Sequence, residues 1–232
     1  MTMTKGSCVG AVIVAGGVGH RFGELKQFKR LGQHPLYMHS LLRFANCDMI
    51  NEVVLVLPPN TAQKISNSIG EIENLQKVVE GGQLRQDSVL AGVNGLSNEC
   101  NIVCVHDAAR PFISIELIEK SIIAGKEYVG AVMAIPASDT IKKVKRTDKI
   151  IEKTLPRETI WLAQTPQVFQ RDTLVKALLF TQANNSRFTD ESALLESLGY
   201  KLKVVEGSPA NIKITTQDDW QLAESMLEKN YV

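Results

Sequence analysis

The run CVGAVIVA (8–15) is apolar throughout, with no polar residue alternating along it. A strand that faced water on one side would alternate, so this run reads as a strand covered on both faces. Four more strands follow: EVVLVLP (52–58), a second buried run stopped by Pro58-Pro59, then KVVE (77–80), a short strand, and the apolar NIVCVH (101–106) and GAVMAIP (130–136). Between them lie stretches with helical spacing: PLYMHSLLRFA (35–45), TAQKISNSI (61–69), LRQDSVLAGVNGL (84–96) and SIELIEKSIIAGK (114–126). The last has Ser114 as N-cap and Glu116 in its first turn. Strand and helix alternate over about 130 residues, which predicts an α/β fold: a mostly parallel sheet with helices on both faces. In such sheets ligands bind at the carboxyl ends of the strands, so the loops after the first, third and fourth runs are the places to search.

The rhythm breaks after Pro136. Residues 138–160, SDTIKKVKRTDKIIEKTLPRETI, are polar with short β-like stretches. They read either as a solvated hairpin or as an arm that contacts a second subunit. Alternation then resumes with RDTLVKALLFTQA (171–183) and DESALLESLG (190–199), both helical, the second ending at Gly199. KLKVVE (201–206) is a strand, and TTQDDWQLAESMLEKN (215–230) is a closing helix with Thr215 or Thr216 as N-cap. No internal repeat and no linker stands out. The expectation is a single domain over 1–232 with a projecting β-arm at about 137–160.

The 232 residues are 44% hydrophobic and 22% charged, with a net charge of +1. That balance fits a globular protein and gives no reason to expect nucleic acid or membrane as a partner. Any anion site must come from a local cluster of cations. Cys8, Cys47, Cys100 and Cys104 have no CxxC spacing and read as reduced thiols of a cytoplasmic protein. No run approaches a membrane span, and the opening MTMTKGSC lacks the apolar stretch of a signal peptide. His20, His34, His39 and His106 lack metal-ligand spacing, and there is no GxSxG elbow.

Three segments can carry chemistry. In VAGGVGHRFGELKQF (14–28), Gly16, Gly17, Gly19 and Gly23 follow a strand, with Arg21 and Lys26 among them. Glycines let backbone N–H groups face an anion, and the two cations add charge beside them. The spacing matches neither the dinucleotide fingerprint nor a P-loop. Alone, the segment reads as a triphosphate cradle or as a Gly-rich turn with surface cations. In EGGQLRQDSV (80–89), Gly82 permits close approach and Ser88 offers a hydrogen bond; the alternative is a plain loop with Arg85 and Asp87 in solvent. In VHDAARPF (105–112), Asp107 can accept from hydroxyls and Arg110 can grip a phosphate. The alternative there is a local Asp107–Arg110 ion pair.

Taken in order, AGGVGHRFGELKQF, GGQLRQDSV, VHDAARPF, IPASDTIK, LPRETIWLAQTPQVF, the TDE at 189–191 and NIKITTQDD resemble the 2-C-methyl-D-erythritol 4-phosphate cytidylyltransferase family over nearly the whole chain. The resemblance implies a Rossmann-like nucleotidyltransferase fold, a homodimer clasped by the 137–160 arm, and transfer of CMP from CTP to a polyol phosphate with Mg²⁺. It implies that Arg21, Lys26 and Lys213 act on the α-phosphate and that Arg157 holds the acceptor's phosphate from the partner's arm. Ala15, Gly16, Gly17, Gly19, Gly82, Ser88 and Ala108 would line the nucleotide pocket. Asp107, Arg110, Thr140, Thr165 and Thr189 would surround the acceptor. No protein ligand is implied for the metal, which would ride on the CTP phosphates. Leu25, Phe22 and Val14-Ala15-Gly16 depart from the family's usual residues without removing a charge. Two rivals remain: a ribitol 5-phosphate cytidylyltransferase, and a nucleotide-binding regulator without catalysis.

Overall fold

The computed structural model describes residues 7–17 and 22–229. Its strands are β1 (Cys8–Val14), β2 (Arg30–Leu31), β3 (His34–Pro35), β4 (Glu52–Leu57), β5 (Leu75–Glu80), β6 (Cys100–Asp107), β7 (Gly130–Pro136), β8 (Ile141–Val144), β9 (Ile151–Leu155), β10 (Trp161–Gln170) and β11 (Lys203–Glu206). Its helices are α1 (Leu36–Ala45), α2 (Ala62–Ser68), α3 (Arg85–Gly95), α4 (Ile115–Glu127), α5 (Arg171–Asn184), α6 (Glu191–Ser197) and α7 (Gln217–Glu228). Seven strands form one sheet in the order β11-β7-β10-β6-β1-β4-β5. All pairs are parallel except those of β10, which runs antiparallel between β6 and β7.

The five strands read between residues 8 and 136 and KLKVVE all join this sheet, with β5 and β11 as its largely exposed edges. β10 was not anticipated. Its stretch AQTPQVFQ carries three glutamines, and a cis Thr165–Pro166 bond coincides with a register break against β7. Residues 164–169 are buried nonetheless. Gln167 donates to Asp190 Oδ2 at 2.8 Å and accepts from Ser192 N–H at 3.1 Å. Hydrogen bonding satisfies the amide inside, so no hydrophobic period marks the strand.

Alternate residues of each strand feed opposite core layers. Val9, Ala11, Ile13, Leu55 and Cys104 pack under Leu41 and Phe44 of α1 and Ile118 and Ile122 of α4. Val12, Val54, Val56, Val103 and Val105 pack under α3, α5 and α6. A third cluster joins Phe22, Leu31, Leu36, Phe112 and Ile214 to Trp220 and Ala223 of α7. Phe22 meets Trp220 edge-on at 5.6 Å, so the closing helix is anchored beside the loop that follows β1. α7 starts at a capping box, Thr216 accepting from Asp219 N–H at 3.2 Å while Asp219 Oδ2 accepts from the N–H groups of Thr215 and Thr216. The segment after β7 forms the two-stranded hairpin β8–β9, outside the main sheet and largely exposed.

β1 leads to β4 on one side, while β6 lies on its other side. The strand order therefore reverses between β1 and β6, which opens a crevice at their carboxyl ends.

Gly92 lets α3 lie directly on the sheet. A Cβ there would overlap Val12 Cγ1 and stand 2.8 Å from Val56 Cγ2, both on rigid, fully buried β-branched residues. Gly92→Ala should lower stability by about 1–3 kcal/mol, the usual cost of overpacking. A urea-unfolding midpoint unchanged from wild type would show that α3 is not seated this closely.

Candidate active site

The crevice is a cleft of about 610 Å³. Three strand ends build it. Ala15 N–H donates to Val56 O at 2.8 Å, Ala108 N–H to Val14 O at 3.0 Å, and Gly81 N–H to Leu57 O at 2.7 Å. These bonds extend the sheet's pairing just past the strands and fix where each loop departs. Ala15, Gly16 and Gly17 form one wall, Gly82 and Ser88 another, and Asp107 and Ala108 the floor. An added Cβ on Gly16 would lie 3.1 Å from Ser88 Oγ, so glycine lets these two loops close on each other. Gln27 Nε2 holds the Gly17 carbonyl at 2.9 Å.

Two lysines reach the cleft from opposite ends of the chain. Lys26 Nζ donates to Ile214 O at 2.5 Å, and Lys213 Nζ donates to Asp107 Oδ2 at 2.6 Å. Ile214 N–H in turn donates to Ala109 O at 2.9 Å, which ties the 211–216 loop to the end of β6. The packing of Trp220 on Phe22 sets this loop beside the glycine-rich one.

A chain of charges runs beneath. Asp107 Oδ1 accepts from Arg85 Nε at 3.2 Å and Nη2 at 3.1 Å, and Arg85 Nη1 donates to Glu191 Oε1 at 2.5 Å. Burial alone would raise the Asp107 carboxyl. The charges of Arg85, Lys213 and Arg110 outweigh burial and hold it well below the usual carboxylate range. For Glu191, burial wins over Arg85 and raises the carboxyl. Among the described residues no ion pair joins Asp107 to Arg110, and Arg85 and Asp87 are not simply solvated. Asp87 Oδ2 accepts from Leu84 N–H at 3.1 Å, at the start of α3.

Behind Asp107 lies a neutral relay of hydrogen bonds. Asp107 N–H donates to Thr165 Oγ1 at 3.0 Å, and Thr165 Oγ1 lies 3.1 Å from His106 Nδ1. His106 Nε2 is 3.2 Å from the Arg110 carbonyl, which can only accept. Nε2 therefore carries the proton and Nδ1 accepts from the threonine hydroxyl. Burial lowers His106 to about 4, so the ring is neutral near pH 7. Arg110 is buried. Its Nη1 and Nη2 donate to the Asn211 and Ala163 carbonyls at 2.8 and 3.3 Å, and Nε has no partner among the described residues.

The residues anticipated from sequence thus separate into groups. Ala15, Gly16, Gly17, Gly82, Ser88, Ala108, Asp107, Lys26 and Lys213 converge on the cleft. Arg110 and Thr165 lie under its floor and brace it. Thr140 and Arg157 line a second cavity of about 340 Å³ on the arm, which shares no residue with the first. Thr189 is exposed, just before α6. Arg21 and Gly19 lie outside the described residues. Arg85 and Glu191 were missed as site residues. They are 106 positions apart, and only their spacing on α3 and α6 relative to β6 brings them together.

Comparison with known proteins agrees with this fold. Residues 9–229 match the family model for 2-C-methyl-D-erythritol 4-phosphate cytidylyltransferase. The chain is 40% identical over 222 residues to the protein of that name from Alkaliphilus oremlandii, covering 94% of each chain. It is 38% identical over 224 residues to the one from Syntrophus aciditrophicus, covering 94% of this chain and 95% of that one. Among solved structures, a 4-diphosphocytidyl-2C-methyl-D-erythritol synthase from Anaerococcus prevotii superposes with a TM-score of 0.85 at 29% identity, covering 96% of both chains. The cytidylyltransferase from Francisella tularensis gives 0.79 at 33% identity, covering 94% of this chain and 99% of that one.

The His106 ring sets a pH dependence. Its folded pKa lies below the unfolded value near 6.5, so its contribution is fully present above about 6.5 and is lost as pH falls toward about 4. Wild type should lose about 2 to 3 kcal/mol relative to His106→Gln between pH 7 and pH 4.5. Urea unfolding of both proteins at the two pH values measures this difference. Parallel losses would mean that His106 titrates normally.

Proposed function

The chain belongs to the 2-C-methyl-D-erythritol 4-phosphate cytidylyltransferase family, and from that membership we infer that it joins CTP to 2-C-methyl-D-erythritol 4-phosphate. The products are 4-diphosphocytidyl-2-C-methyl-D-erythritol and pyrophosphate, a step toward isoprenoid precursors. The observation that supports this chemistry best is the pair Lys26 and Lys213, held at one cleft between two glycine-lined loops.

The nucleophile is an oxygen of the acceptor's phosphate, already ionised. It attacks the α-phosphorus of CTP, and the bond to the bridging oxygen breaks, the electron pair leaving on pyrophosphate. No proton needs removal, so the cleft needs no general base. The obstacle is repulsion between anions and the charge gathered in the transition state. Lys26 and Lys213, with Arg21, are assigned to neutralise it. Gly82, Ser88 and Ala108 bound the space assigned to cytosine and ribose. Asp107 holds Lys213 in place and faces the acceptor's hydroxyls, while Arg110 and Thr165 position Asp107.

Mg²⁺ is assigned as cofactor. Asp107 is the one carboxylate among the described residues lining the cleft, and both its oxygens are engaged by Arg85 and Lys213. A cation held chiefly by triphosphate oxygens and water suits such a cleft, and when bound it would offset charge on the leaving group.

Arg157 and Thr140 lie together on the arm, which exposes Val144, Ile150 and Ile151. We assign the arm to a homodimer contact through which Arg157 reaches the acceptor in the partner's cleft, the enzyme acting in the cytoplasm. No helix among the described residues is long and apolar enough to cross a membrane.

Pyrophosphate release from CTP with a panel of polyol phosphates tests the reading. Methylerythritol phosphate should support turnover, whereas preference for ribitol phosphate, or no turnover, would overturn it. Lys26→Ala and Lys213→Ala should each lower kcat by about 10²–10³-fold, the scale for one lost charge stabiliser. Arg157→Ala should raise KM for the acceptor and leave CTP affinity nearly unchanged. Equal loss of CTP binding would contradict the arm assignment.

A further inference from the structure

At the end of the sheet opposite the cleft, two cysteines meet. Cys8 opens β1 and Cys100 opens β6, and their Sγ atoms are 3.0 Å apart. The contact depends on an irregularity in the ladder. Val9 pairs with Ile102, so a regular register would set Cys8 beside Asn101. Instead Cys8 pairs with Cys100, and Asn101 is the extra residue, its side chain exposed. A single inserted residue moves every side chain before it to the other face. It therefore puts Cys100 on the face that Cys8 shares, in the layer with Val103 and Val105. Adjacent strands lie about 4.8 Å apart, which is inside the Cα separation a disulfide spans.

We propose that Cys8 and Cys100 form a redox-active dithiol that closes to a disulfide by exchange with a small-molecule disulfide. The two sulfurs differ in access: Cys8 is half-exposed and Cys100 is buried. The Cys8 thiolate attacks one sulfur of the incoming disulfide RSSR, forming Cys8–S–SR and releasing RS⁻, which takes up the Cys8 proton as RSH. The Cys100 sulfur, losing its proton, then attacks Cys8 Sγ and expels the second RSH. Both protein thiols are oxidised and RSSR is reduced to two RSH, so atoms and electrons balance. Burial keeps the Cys100 proton on, which makes it the resolving thiol and not the first attacker. Cys47 and Cys104 are buried and serve as internal controls.

The closed form would join β1 to β6 across 92 residues, and cross-linking a loop of that length constrains the unfolded chain strongly. The cleft at the far ends of both strands should be little disturbed. The test incubates the full-length enzyme with glutathione buffers of increasing oxidised fraction and follows intact mass, peptide mapping, thermal unfolding and turnover. Wild type should lose two hydrogens through a Cys8–Cys100 link, unfold several degrees higher, and keep its turnover within about twofold. Cys100→Ser should instead accumulate a glutathione adduct on Cys8, and Cys8→Ser should stay unmodified. Wild type that remains fully reduced, or that stops at the Cys8 adduct, overturns the proposal. So does purified wild type whose two thiols are protected by zinc that Cys8→Ser and Glu52→Gln fail to retain, because Glu52 also lies within 4.8 Å of both sulfurs and would then complete a metal site.

Discussion

A carboxylate buried at the end of β6 organises the molecule's working end. Asp107 is 7% exposed and charged. An unpaired charge there would be costly, so cations must converge on it. Arg85 arrives from α3 and Lys213 from the loop before α7, with Glu191 of α6 behind Arg85. One ionised side chain thus couples four separate stretches of chain. Three of those stretches, the start of α3, the end of β6 and the loop before α7, line the cleft.

This arrangement is how a protein of net charge +1 would hold the triphosphate proposed for it. Lys26, Arg85 and Lys213 come together in one cleft at the strand-order reversal. Lys213 is shared: it stabilises Asp107 in the free protein and faces the cleft, about a third exposed. A phosphate bound in the cleft as proposed would compete with Asp107 for the same ammonium group, and Arg85 would keep the carboxylate partnered if Lys213 turned away. The neutral His106, with its proton fixed on Nε2 by the Arg110 carbonyl, braces the Asp107 backbone through Thr165 without adding a charge.

Much of this was legible in the sequence. Unalternating apolar runs identify buried parallel strands, and β1, β4, β6 and β7 were read that way, whereas the exposed edge strands β5 and β11 were read only as the short KVVE and KLKVVE stretches. β10 escaped because its glutamines are satisfied by partners on other elements, which no local pattern records. The same holds for the site. Lys26 and the glycines announce themselves through composition, and Lys213 and Arg157 were assigned through family likeness. Arg85 read as a solvated loop residue because its two carboxylate partners lie 22 and 106 positions away. Arg110 looked like a phosphate ligand but spends its guanidinium on two backbone carbonyls. Charge shows in a sequence, whereas burial of that charge shows only in the fold.

A crystal structure with CTP bound tests the central assignment most directly. The triphosphate should lie in the cleft between β1 and β6, with Lys26 and Lys213 within hydrogen-bond reach of the α-phosphate, the base beside Gly82 and Ser88, and Arg85 still on Asp107. A triphosphate bound elsewhere, or one in the cleft that leaves both lysines on their present protein partners, would contradict it.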